Sequence, residues 1–308
     1  MKNKFVFLIP AALLTAMLCT FYACTRGNSG KQGNNDRIGV VTSFYPLYFF
    51  AKEIGNGKAD VINLTPSGAE PHDYEPNTRD IVRIEKARLL IMNGAALEPY
   101  AGRLKDILKN TQVKVVMAAE GLTAHDLYEE GRPTIDPHVW LDPLLAKQIV
   151  KRIEDAFASI DPGNRDIYES NAQMLEDRLD SLNKAFKNGL SDCKTRDIVT
   201  SHAAFGYIAS RYKLRQIAIS GISPDREPSP KKLAEISDFV KEHKIKYIFY
   251  ETLISSRLAE TIARETGAQV LVFNPLEGLT KEEQDAGKDY FSVQKDNLEY
   301  LKTALGCK

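Results

Sequence analysis

From Ile38 onward the chain alternates short apolar runs with stretches whose apolar residues recur at three- and four-residue intervals. Residues 38–43, 61–64, 89–92 and 113–116 read as strands. Residues 46–54 (closed by Gly55), 78–86, 97–108 and 143 to about 159 read as helices, the last entered through Asp142 as N-cap and Pro143 in the first turn. The second half repeats the rhythm. Strands are expected at 198–200, 216–219, 247–250 and 270–273, and helices at 203–212, 230–243, 255–266 (closed by Gly267) and 290–305. Strand–helix alternation of this kind implies parallel sheets flanked by helices. Between the halves, residues 164–192 contain no Gly or Pro before Gly189, and Leu175, Leu179, Leu182, Phe186 and Leu190 fall on one face. One helix of that length reaches about 40 Å at 1.5 Å per residue and can back both halves as a strut. The expected fold class is therefore α/β, two Rossmann-like lobes (37–163 and 193–308) joined by one long rigid helix (164–192).

The N-terminus departs from this pattern. Met1-Lys2-Asn3-Lys4 precedes an uncharged apolar run over residues 5–23, the layout of a secretory signal peptide. Ala23-Cys24 resembles the junction at which bacterial lipoproteins are cut and lipidated on cysteine, although Phe21 is unusual two places before Ala23. Residues 1–23 are thus read as a signal and 24–36, rich in Gly and Asn, as a polar tether lipidated on Cys24. A cleaved soluble form or a permanent membrane helix are the alternatives. Export permits a disulfide between Cys193 and Cys307, but the sequence does not pair them, and they lack zinc-knuckle spacing. Lysine plus arginine equals aspartate plus glutamate, 41 against 41, which gives no reason to expect nucleic acid as a partner.

Candidate chemistry lies in the five histidines. His72 in Pro71-His72-Asp73-Tyr74-Glu75-Pro76, His138 in Asp136-Pro137-His138-Val139-Trp140-Leu141-Asp142-Pro143, and His202 in Thr200-Ser201-His202-Ala203 all fall in loops near strand ends. Open α/β sheets bind ligands outside the carboxyl ends of their strands. His72 and His138 belong to one lobe and His202 to the other, so a cation in the interlobe cleft could bridge them. Imidazole suits Zn, Cu, Ni and Fe over Mg or Ca. Each histidine taken singly reads more simply as a surface or hydrogen-bonded core residue. His243, beside Lys241, Lys244 and Lys246, reads as solvated, and His125 with Asp126, Glu129 and Glu130 as part of a solvated loop over 123–135.

These segments resemble the metal-binding solute proteins of bacterial zinc and manganese ABC importers, the cluster A-I or cluster 9 family, from about residue 38 to 305. The two motifs around His72 and His138 carry the likeness. So do Ser220-Gly221-Ile222-Ser223-Pro224 with Glu227-Pro228-Ser229-Pro230, and Asn274-Pro275-Leu276-Glu277-Gly278-Leu279. The resemblance implies two α/β lobes joined by a long helix, metal ligation by His72, His138 and His202, and delivery of the ion to an ABC permease by a monomer. It places the protein outside the cytoplasm, lipid-anchored on the periplasmic side or at the cell surface. Histidine in the third ligand position is typical of the zinc branch and glutamate of the manganese branch, so His202 points to Zn2+ over Mn2+. The long His- and Asp-rich loop common in zinc members is missing here. Manganese members carry an aspartate ligand near Asn274, and asparagine ligates zinc poorly. The fourth place is thus expected to go to water or a carboxylate. Glu251 is the first candidate, either as ligand or as the hydrogen-bond acceptor that fixes a ligand imidazole's tautomer; Glu70 is a weaker one.

Other classes remain to be weighed. A zinc hydrolase also uses three histidines, but needs a general base and an open coordination position, and no HExxH is present. An adhesin role lacks a separate module in the sequence. The expected protein is not an enzyme.

Overall fold

The structure is a computed structural model that describes residues 37–94, 96–123, 127–129 and 132–308. The expected signal (1–23), the tether (24–36) with Cys24, and His125 lie outside the described residues.

The first lobe is built on β1 (Ile38–Thr42), β2 (Ala59–Asn63), β3 (Leu89–Met92) and β4 (Lys114–Met117), all parallel, in the order β2-β1-β3-β4. Helices α1 (Tyr45–Gly55), α2 (Thr78–Lys86) and α3 (Ala101–Leu108) connect them. The second sheet contains β7 (Asp197–Thr200), β8 (Arg215–Ala218), β9 (Tyr247–Tyr250) and β10 (Gln269–Val272), again parallel, in the order β10-β9-β7-β8. Both sheets follow the same rule. The chain winds outward from one central strand, then restarts beside it and winds the other way, leaving a crevice at the switch point. In the first lobe that crevice lies between β1 and β3, in the second between β7 and β9.

The chain leaves the first lobe through a two-stranded antiparallel hairpin, β5 (Leu127–Glu129) and β6 (Arg132–Thr134), then a single 3₁₀ turn over Val139–Leu141. This pairing falls inside the segment 123–135, which reads as a solvated loop from sequence. Helix α4 (Pro143–Ile160) follows, N-capped by Asp142, which accepts from the Leu144 and Leu145 amides at 2.9 and 3.4 Å. Helix α5 (Arg165–Gly189) runs 25 residues, about 37 Å at the α-helical rise. Its stripe of Leu175, Leu179, Leu182 and Phe186 is buried in one continuous core shared with residues of both lobes. The second lobe adds α6 (Gly206–Tyr212), α7 (Pro230–Glu242), α8 (Arg257–Thr266), a short α9 (Lys281–Asp285) and the terminal α10 (Tyr290–Leu305).

Local differences have local causes. The third helix begins at Ala101 rather than Leu97 because Glu98 is used otherwise. Its buried carboxylate accepts from Ser43 Oγ (2.5 Å) and from the amides of Asn93 (2.7 Å) and Gly94 (2.8 Å). It therefore plugs the switch-point crevice of the first sheet, and burial raises its pKa. Gly55 is the last residue of α1, as expected, but it is not left-handed; that conformation falls on Gly57 (φ 80°), while a Cβ on Gly55 would stand 2.8 Å from Ala59 Cβ. Cys193 and Cys307 form a disulfide, fastening the end of α10 to the segment after α5.

Candidate metal centre

Three loops, each leaving a different part of the fold, converge in the cleft. His72 lies between β2 and α2, His138 just before the 3₁₀ turn, and His202 two residues after β7, in the crevice of the second sheet. A fourth group joins them: Glu277, in the loop after β10. The four donor atoms lie within 4.8 Å of one another. His138 Nε2 stands 3.4 Å from His72 Nε2, 3.3 Å from His202 Nε2 and 3.1 Å from Glu277 Oε1. Glu277 Oε1 is 3.3 Å from His72 Nε2 and 3.4 Å from His202 Nε2. A tetrahedral zinc site with bonds of about 2.0–2.1 Å has edges about 1.63 times longer, or about 3.3 Å. These five edges match that figure. His138, His202 and Glu277 are buried outright, and His72 is 9% exposed.

The opposite ring nitrogens are also held. His138 Nδ1 meets Asp136 Oδ1 at 2.7 Å, and the same oxygen accepts the His138 amide at 2.9 Å. His202 Nδ1 meets Glu251 Oε2 at 2.6 Å, while Glu251 Oε1 accepts the His202 amide at 3.1 Å. A carboxylate at Nδ1 draws the proton there and leaves the Nε2 lone pair facing the centre. Glu251, directly after β9, lies on the outer side of His202 and outside the four-atom cluster. Gly206 keeps the Asp136 side free, since a Cβ there would stand 2.8 Å from Asp136 Oδ2. His243 lies apart, stacked on Phe239 and 3.4 Å from Asp197.

Glu277 is the residue that sequence reasoning left without a role, although its segment had been singled out. Its loop is shaped by Asn274, the position where an aspartate ligand had been considered. Asn274 Oδ1 accepts the Leu276 amide (2.7 Å), and Asn274 Nδ2 donates to Thr252 Oγ1 (3.1 Å) and Glu283 Oε1 (2.9 Å). Asn297 pairs with both its backbone groups, at 2.9 and 2.8 Å. These bonds hold Leu276 in a left-handed conformation (φ 57°), which costs a non-glycine residue about 1–2 kcal/mol and turns Glu277 inward. One signal was available in the sequence: Glu277 follows a sheet strand of the second lobe, as Glu251 does.

Electrostatics follow from burying so many ionisable groups together. Burial alone lowers the pKa of His138, but Asp136 and then Glu277 outweigh it and the net shift is upward. His202 behaves likewise under Glu251 and Glu277 and ends well above its usual value. Burial would raise Glu277, yet His202, His138 and His72 hold its carboxyl well below the ordinary range. Glu70, whose Oε1 accepts the His72 amide at 3.2 Å, is pushed up to about 9 by burial and by the Glu277 charge. Glu70 is not among the four converging groups.

The loops are clasped across the cleft. The Gly68 amide and Ser67 Oγ both donate to Leu279 O, at 3.1 and 2.8 Å. Trp140 Nε1 donates to Pro275 O at 2.8 Å, and the Tyr290 hydroxyl donates to Trp140 O at 2.5 Å.

Residues 40–304 match the family model described as zinc-uptake complex component A, periplasmic (ZnuA). The high-affinity zinc uptake system protein ZnuA of Bacillus subtilis (strain 168) is 38% identical over 311 residues, covering 97% of each chain. The zinc-binding lipoprotein AdcA of Streptococcus pneumoniae (strain ATCC BAA-255 / R6) is 39% identical over 94% of this chain, which spans 60% of that relative's length. Among solved structures, the Zn(II)-bound ZnuA-like domain of Streptococcus pneumoniae AdcA superposes with a TM-score of 0.76 at 40% identity, covering 87% of this chain and 99% of that one.

Proposed function

This chain belongs to the ZnuA family of zinc-uptake components, and from that premise we propose that it captures Zn2+ outside the cytoplasm and hands it to an ABC permease. His72, His138, His202 and Glu277 are the ligands in this reading. The observation that carries it is the match between the five donor–donor edges and those of a tetrahedral zinc shell. Three imidazoles and one carboxylate favour zinc over the harder Mn(II). A hydrolytic zinc keeps one position open for water, whereas here four protein atoms occupy all four corners. Capture and release is the reading this favours over catalysis. We further read residues 1–23 as the export signal, 24–36 as a tether anchored through lipid on Cys24, and 37–163, 164–192 and 193–308 as lobe, linking helix and lobe of a monomer.

Elemental analysis of the protein purified from cells, followed by competition of Zn2+ against Mn2+, tests the proposal. One equivalent of zinc that manganese does not displace is expected. Preferential manganese retention would overturn the metal assignment. Membrane fractionation of wild type and Cys24→Ala separates anchoring from capture, because a soluble Cys24→Ala variant should still bind zinc.

Glu251→Gln is expected to weaken zinc binding by about 10- to 100-fold while leaving all four ligands in place. A competition titration against a chromogenic chelator reads this directly. Unchanged affinity would remove Glu251 from the site's working parts.

The raised histidine pKa values set the pH dependence. In the metal-free protein, the stability contributed by His138 and His202 is fully present below their unfolded pKa of about 6.5 and lost as pH rises through the folded values. Glu277 has the opposite sign: its contribution is present above about 4.5 and lost as pH falls through its lowered folded pKa. Zinc must displace the histidine protons, so its affinity rises with pH over the range where the metal-free form loses stability. The difference in Tm between zinc-bound and metal-free protein should therefore widen from about pH 5.5 to about pH 8. Thermal melts with and without zinc would show this; a constant gap contradicts it.

A further inference from the structure

Away from the metal centre, a concave pocket of about 480 Å³ opens between the C-terminal ends of α5 and α6. Lys187, Arg196, Arg211 and Lys213 line it together with Asn183 and Tyr212, and no carboxylate does. That is a marked local imbalance in a chain whose net charge is zero. Two of the cations are fixed in place. Arg196 donates to Leu190 O (2.5 Å) and Ser191 O (2.9 Å). Arg211 Nε donates to the buried Asp142, which leaves its two Nη groups without a protein partner among the described residues. Tyr212 OH donates to Asn183 Oδ1 at 3.1 Å, turning the Asn183 amide nitrogen into a spare donor. Neither Lys187 nor Lys213 has an acidic partner among the described residues.

A simpler role for these cations is to complement the helix ends. Two macrodipoles supply about half a negative charge each, about one in total, and Asp142 supplies one more. Four positive charges less two leaves about two uncompensated. A pocket lined by four cations and no carboxylate, which carries that excess and holds a guanidinium with both Nη groups free, is suited to a phosphate dianion.

We propose that this pocket binds a phosphate group, whether of a free phosphate or of a lipid headgroup. The site is independent of the zinc centre, so its test uses the full chain in its metal-free form. Calorimetric titration with inorganic phosphate should give saturable binding of one equivalent. Lys187→Ala/Lys213→Ala, both exposed positions, should weaken it about tenfold, whereas Lys231→Ala/Lys232→Ala on α7 should not. Vesicles of phosphatidylglycerol assign the source: displacement of phosphate by vesicles indicates a headgroup, and its retention indicates soluble phosphate. No saturable heat up to about 10 mM phosphate, or equal weakening in the two double variants, would overturn the proposal, the cations then serving the helix ends alone.

Discussion

Replacing His138 by alanine is expected to weaken zinc binding by about a hundred- to a thousandfold. The magnitude follows from dividing the affinity among its donors. A four-ligand structural zinc site is worth about 10–16 kcal/mol at neutral pH, so each ligand carries about 2.5–4 kcal/mol, and 1.4 kcal/mol is a factor of ten. Replacement by water recovers part of that loss, which sets the lower end. His138 is a sharp choice because its Nε2 lies 3.1–3.4 Å from all three other donors. Its removal also frees Asp136, which then lies buried beside a cavity. Glu277→Gln provides the companion measurement. It keeps the shape of the corner but removes the charge, so its loss of affinity should come with a smaller change in the Tm of the metal-free protein. Competition titration of both variants against chelators of graded affinity would measure this. Wild-type affinity in His138→Ala would mean that the tetrahedron is not the zinc site.

Much of the architecture could be read from periodicity because the pattern and the fold share a cause. Strand Tyr247–Tyr250 and helices Thr78–Lys86 and Tyr290–Leu305 fall where the spacing put them, since each buries one continuous apolar face. Gly267 does end α8 in the left-handed conformation (φ 76°). What escaped depends on tertiary partners. Residues 97–100 have helical spacing, but Glu98 turns back to fill the crevice between β1 and β3. At the site, the three histidines were legible through their motifs and loop positions. Glu277 was not, because its inward turn depends on Leu276 adopting a positive φ, and that depends on Asn274 and Asn297, one of them on the terminal helix. Glu251 could be placed after its strand, yet which face of His202 it would meet is decided by the β7–β9 pairing.

Trp140→Ala is expected to destabilise the metal-free protein by about 3–5 kcal/mol. Trp140 is completely buried, packs edge-on against Phe44 with ring centroids 4.6 Å apart, and stands 5.1 Å from the His138 ring. Its indole N–H is the only side-chain donor to Pro275 O among the described residues. Alanine would leave both a cavity and an unpaired buried carbonyl, and the second adds to the first. Trp140→Phe separates the two, since it retains most of the volume and loses the hydrogen bond, at about 1–3 kcal/mol. Pro275 lies two residues before Glu277, so the bond also ties the loop carrying the fourth donor to the segment carrying His138. Both variants should therefore lose zinc affinity as well as stability, and in Trp140→Phe the loss of affinity should be the more conspicuous effect. Urea titrations followed by far-ultraviolet circular dichroism, run beside zinc competition, give the two quantities separately. If Trp140→Phe binds zinc as the wild type does, the indole only fills space, and Glu277 owes its position to the Asn274–Asn297 pairing alone.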